Sequence, residues 1–71
     1  MDKVYWIKFY EDRKFVTEIG QPHQDRYSAV AAITAYLLQI QNIGLQVIND
    51  GPGSFHYDRY GTVCAVRIEE E

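Results

Sequence analysis

The sequence predicts an α+β fold: a single domain in the order ββαββ, with one helix packed on one face of a mainly antiparallel four-stranded sheet. Three observations carry that expectation. Two segments rich in β-branched and aromatic residues flank a short polar turn at residues 11–13. Residues 27–42 repeat their apolar positions at helical spacing. Two further extended segments follow, with Asp50, Gly51, Pro52 and Gly53 supplying the strongest turn signal in the chain. One helix on one side of an antiparallel sheet is the natural way for such elements to bury their apolar faces. The 71 residues allow one domain, and a domain of this size buries only about 60% of its unfolded surface. A hydrophobic fraction of 46% is that of a globular chain rather than a disordered one.

The first strand spans residues 4–10. Tyr5, Ile7 and Phe9 share one face, and Val4, Trp6, Lys8 and Tyr10 share the other. Residues 14–19 return. A three-residue loop of Glu11, Asp12 and Arg13 sets Phe9 against Phe15, Ile7 against Thr17 and Tyr5 against Ile19, which collects the apolar side chains on one side. Residues 20–24 contain Gly20 and Pro22 and break the pattern. Asp25 is the expected helix N-cap, with Ser28 as its rival. The helix runs to about Asn42, and Gly44 ends it. Its core stripe is Ala29, Val30, Ile33, Tyr36, Leu37, Ile40 and Ile43. Its outer face carries Tyr27, Ala31, Thr34, Ala35, Leu38, Gln41 and Asn42. Residues 45–49 form the third strand, and residues 54–61 read as a loop or a short extended piece, rich in aromatics. Residues 62–68 form the last strand, with Cys64, Val66 and Ile68 on one face.

Charge excludes some functions. The net charge is −3, and most charges sit beside a neighbour of opposite sign: Asp2 by Lys3, Asp25 by Arg26, Asp58 by Arg59. No basic stripe exists, so direct binding to a phosphate backbone is not expected. Glu69, Glu70 and Glu71 read as a solvated tail. The single Cys64 excludes an internal disulfide and, as a strand residue on an apolar face, reads as packing rather than chemistry. The start of the chain has no leader pattern. The apolar part of the helix is too short to span a bilayer, so the expected location is the cytoplasm. His23 and His56 lie too far apart, with too few partners, for a metal site. Neither a cofactor nor a catalytic residue is assigned.

The candidate sites are therefore surfaces for a protein partner. No residue from position 27 to position 49 is charged, whereas a helix lying on a soluble domain normally carries charge outward. Its outer face, centred on Tyr27, Ala31, Thr34 and Leu38, is expected to meet another polypeptide, either a second copy in a homodimer or a different protein. A second candidate is the 54–61 loop, where Tyr57, Arg59 and Tyr60 are of types enriched at binding hot spots. A third is the pair Trp6 and Tyr10, facing away from the core across from Val16 and Glu18; the alternative is that loop residues such as Phe55 fold over them. A nucleic-acid-associated protein using these aromatics as stacking platforms is the second functional class. A small ribonuclease built on His56 with Arg59 as phosphate anchor is the third.

Two strands, an alanine-rich helix opened near an Asp and two further strands fill nearly the whole chain, which is compact, acidic and free of diagnostic motifs. In architecture and composition it resembles the small single-domain anti-CRISPR inhibitors of phages and mobile elements. That resemblance implies a non-enzymatic protein that occupies the surface of a CRISPR effector subunit in a host bacterial cytoplasm. It assigns no role to any individual residue.

Overall fold

The computed structural model describes residues 3–71. Two N-terminal readings, the Asp2–Lys3 neutralisation and the missing leader pattern, rest on residues outside that range. The chain folds as β1 (Tyr5–Glu11), β2 (Lys14–Glu18), α1 (Arg26–Asn42), β3 (Val47–Gly51), β4 (Ser54–Arg59) and β5 (Thr62–Glu70). This is the expected α+β class, with one correction. The sheet has five strands and the order is ββαβββ, because residues 54–59, which the sequence leaves open between a loop and a short extended piece and outside the four strands, form a full strand. Phe55 and Tyr57 alternate with Ser54, His56 and Asp58, and burying the aromatic pair requires the segment to be extended.

The spatial order is β2-β1-β5-β4-β3, antiparallel throughout. The first and last strands thus pair at the centre, and α1 carries the chain from one sheet edge to the other. The core is small: Ile7, Phe9, Ala29, Ile33, Leu37, Tyr57, Cys64 and Val66. All of it lies between α1 and one face of the sheet, and the other face is open.

Each turn follows from local chemistry. Between β1 and β2 the loop has two residues, not three. Asp12 (φ 48°) and Arg13 (φ 71°) both have positive φ, the requirement of the tight hairpin turn whose twist matches the strands. The shorter loop changes the register: Phe9 pairs with Thr17, and Tyr10 pairs with Phe15 across a bulge. Phe15 therefore lands on the open face instead of opposite Phe9, and the amide of Ile19 donates to the carbonyl of Ile7 (2.8 Å) rather than pairing with Tyr5. Between β3 and β4, Gly53 takes φ 64° after Pro52, as a turn with proline second and glycine third demands.

The helix starts and stops as its residues predict. The Asp25 carboxylate accepts from the Ser28 amide (2.8 Å). At the other end Gly44 is left-handed (φ 90°). Its amide donates to the Gln41 carbonyl (3.0 Å), and that of Leu45 donates to the Ile40 carbonyl (3.3 Å). This pair of bonds is a Schellman cap. The predicted rotation is correct for the outer face, whose residues are all exposed, and for Ala29, Ile33 and Leu37, which are buried. Val30 (43% exposed) and Ile43 (65% exposed) depart from the core stripe. Val30 lies on the flank of the contact, and Ile43 falls beyond the last turn.

The acidic C-terminus is not a solvated tail. Glu69 and Glu70 belong to β5 and pair with Trp6 and Tyr5 of β1. Their carboxylates are engaged as well: Glu70 with Lys3 (3.1 Å), Glu69 with Lys8 and the Tyr10 hydroxyl, and Glu71 with Lys8.

Candidate functional site

A helix about 10 Å wide cannot cover a five-stranded sheet whose strands are about 4.8 Å apart. It packs against β1, β5 and β3, and a groove remains along its β3 side. Thr34, Leu38 and Gln41 of α1, Val47 and Asn49 of β3 and Phe55 of β4 line this groove. None carries a charge. Two of the predicted helix residues, Thr34 and Leu38 (55% exposed), thus form one wall of a neutral cleft. Ala31 continues the exposed face toward the N-terminus. Tyr27 (89% exposed) ends it, beside a shallow pocket shared with Arg26 and Val30.

The predicted 54–61 contact loop does not hold together as one surface. Tyr57 is 1% exposed, its ring is part of the core, and its hydroxyl lies 2.9 Å from that of Tyr36. Burial, and then that hydroxyl, push its phenol above the ordinary tyrosine range. It is a structural residue and not part of a contact surface. Arg59 projects on the helix side of the sheet and is ion-paired with Glu11. Tyr60 alone stands free, 90% exposed at the β4–β5 turn. Its φ of 50° is uncommon for a bulky residue and costs roughly 1–2 kcal/mol where Gly would be unstrained. The turn sits at the same end of the sheet as the helix C-terminus, because β3 begins there with Val47 paired to Tyr57.

Trp6 and Tyr10 lie on the open face as expected, and both are half-buried. The expected neighbours Val16 and Glu18 do not pair with them: Glu18 pairs with Lys8, and Tyr10 pairs with Phe15. Phe55 does not fold over them, because it packs against the core from β4. The Tyr10 ring is already occupied. The Arg67 guanidinium stacks on it at 4.8 Å, and Phe15 meets it edge-on at 5.9 Å. That geometry leaves little of the ring for stacking a base.

His56 and Arg59 point to opposite faces of β4, so the ribonuclease arrangement is not assembled. His56 instead holds Asp50, with Nδ1 2.7 Å from each carboxylate oxygen. Asp50 is the extra residue of a bulge between Asn49 and Gly51, and bulges re-aim side chains in this way. Cys64 is fully buried, and burial pushes its thiol up, which keeps it protonated and unreactive. Among the described residues no cluster of His, Cys, Asp and Glu is placed to hold a metal, and no helix is long and apolar enough to cross a membrane.

Sequence reasoning passes over Arg13, Asp50 and Arg67, which meet on the open face with His56. No sequence signal marks them, because a turn, a bulge and the strand register bring them together. Comparison with protein-family models, with curated proteins and with solved structures finds no match to this chain.

Proposed function

We propose that the chain is a non-enzymatic protein-binding module whose contact surface is the outer face of α1 and the neutral groove beside it. The observation that carries this reading is the groove itself. In a chain with 24% charged residues, Thr34, Leu38, Gln41, Val47, Asn49 and Phe55 line a cleft with no charge in it. Clefts of this composition suit an apolar segment of another polypeptide, and charge depletion at its centre is a mark of an interface. Tyr60, held in a strained turn at the same end of the sheet, extends the surface as an aromatic anchor.

The partner class follows from the resemblance to anti-CRISPR inhibitors: a subunit of a CRISPR effector, blocked by occupation of its surface. The test is a plasmid-interference assay in bacteria carrying an active CRISPR system. Expression of the chain is expected to protect the targeted plasmid, and Leu38→Asp is expected to abolish protection while the purified variant stays folded. Protection that survives Leu38→Asp would move the contact away from this groove. Absence of protection across CRISPR types would remove the effector as partner. A mass measurement in solution separates the homodimer: a dimer that Leu38→Asp converts to monomer places the second copy in the groove.

A further inference from the structure

On the open face of the sheet, β5 carries the small Ala65 between Tyr10 of β1 and His56 of β4. The missing bulk makes a depression lined by Arg13, Asp50, His56, Val63, Ala65 and Arg67. Three separate devices aim its polar groups. Arg13 occupies the left-handed turn, which is pinned to β5 by the Asp12 amide on the Val63 carbonyl (2.8 Å) and the Val63 amide on the Asp12 carboxylate (3.1 Å). Arg67 is held over the Tyr10 ring, its guanidinium carbon 4.8 Å from the ring centre. His56 has Nδ1 turned to the bulged Asp50, so its Nε2 is the nitrogen left for a ligand. Strained and irregular backbone of this kind concentrates at binding sites.

The charge balance of the depression is positive although the chain is acidic. Arg13 and Arg67 outnumber the one lining carboxylate, Asp50, which lies 2.7 Å from His56 Nδ1, and the nearby Asp58 carboxylate accepts from the Gly61 amide (2.8 Å). Glu69 is taken by Lys8 and Tyr10. Arg13 and Arg67 form no ion pair with any described carboxylate. Two guanidinium forks and an imidazole converging on one hollow match the oxygens of a phosphate monoester. Directly beyond His56 lies a second hollow, bounded by Gln46, Ile48, His56, Asp58 and Val63. Ile48 and Val63 supply exposed apolar surface there (46% and 45%), and Gln46 and Asp58 bring polar groups to its margin.

We propose that this pair of hollows is a nucleoside monophosphate site, with the phosphate held by Arg13, Arg67 and His56 and the nucleoside lying on Ile48 and Val63. It is separate from the groove beside α1, which opens on the other side of the sheet. The test is a backbone-amide NMR titration of the full chain with AMP, GMP, CMP and UMP, each beside orthophosphate and adenosine alone. At least one nucleotide is expected to shift the signals of Arg13, His56, Val63 and Ala65, and to bind more tightly than either fragment. Arg67→Gln is expected to weaken that binding about tenfold, the loss of one charge-assisted hydrogen bond. Arg13→Gly should do the same while leaving the thermal midpoint unchanged or higher, because glycine suits φ 71° better than arginine. Binding that is no tighter for any nucleotide than for orthophosphate, or that is indifferent to both substitutions, overturns the assignment.

Discussion

Tyr57 and Tyr60 are three positions apart and have opposite roles. Tyr57 is 1% exposed and shares a hydrogen bond with Tyr36; Tyr60 is 90% exposed on a strained backbone. Tyr57→Phe is expected to remove about 1 kcal/mol of stability at neutral pH, the value of a buried hydrogen bond. Because the folded chain holds the Tyr57 phenol above its ordinary range, the unfolded chain ionises first as pH rises. The stability this residue contributes is complete below the ordinary tyrosine value and is lost as pH climbs toward the raised one. Denaturant midpoints measured across that alkaline range should fall more gently in Tyr57→Phe than in the parent. Tyr60→Gly should act in reverse at neutral pH, raising stability by roughly 1 kcal/mol through relief of the turn. The same substitution should weaken partner binding if the tyrosine is the anchor proposed for it. A thermal melt reads the first effect and a competition assay the second.

Among the elements, α1 is the one whose two faces differ most in what they meet. Ala29, Ile33 and Leu37 are buried, whereas Tyr27, Val30 and Leu38 leave apolar surface in water. Leu38 is 55% exposed and lies outside the core cluster. Leu38→Asp is therefore expected to shift the unfolding free energy by less than about 0.5 kcal/mol while removing whatever assembly the groove supports. Cooperative loss of the helix signal in circular dichroism would show instead that Leu38 belongs to the core. The rotation of α1 was legible because a 3.6-residue period is written within the segment itself. The strand character of β4 stayed undecided between a loop and a short extended piece because it rests on two aromatic residues, Phe55 and Tyr57, in a short run enclosed by turn residues. So short an alternation is outweighed by its Gly and Pro neighbours until β5 is in place to pair with it.

At the scale of the molecule, the two ends of the chain are stitched together at the centre of the sheet. Val4 and Glu71 exchange both backbone hydrogen bonds (2.9 Å each), and Lys3, Lys8 and Tyr10 hold the three terminal glutamates. The hydrogen bond and charge of Lys3 keep the Glu70 carboxyl below the ordinary carboxylate range. Between the lowered and the ordinary value the unfolded chain holds more protons than the folded one, so this contribution is present above the ordinary value and is lost as pH falls through the lowered one. Protection against hydrogen exchange at the Tyr5–Glu70 end of the central ladder, corrected for the slower intrinsic exchange in acid, should fall on acidification. Glu70→Gln should lower that protection at neutral pH and make it less dependent on acid. Equal acid sensitivity in the variant would show that the Lys3–Glu70 pair is not its source.

The sequence by itself determined what depends on residues near one another: the helix between Asp25 and Gly44, the side it presents to the core, the absence of charge on its back and the inward set Cys64, Val66 and Ile68. Tertiary structure alone decided what depends on distant pairing. The two-residue turn at Asp12 and Arg13 moved Phe15 to the open face, and the pairing of β1 with β5 turned an apparent acidic tail into a paired strand end. The bulge at Asp50 and the register around Ala65 drew His56, Arg13 and Arg67 into one hollow. The reason is physical: helical periodicity and capping are satisfied within a few residues, whereas a sheet's register is set by which strands meet, and no local pattern encodes that choice.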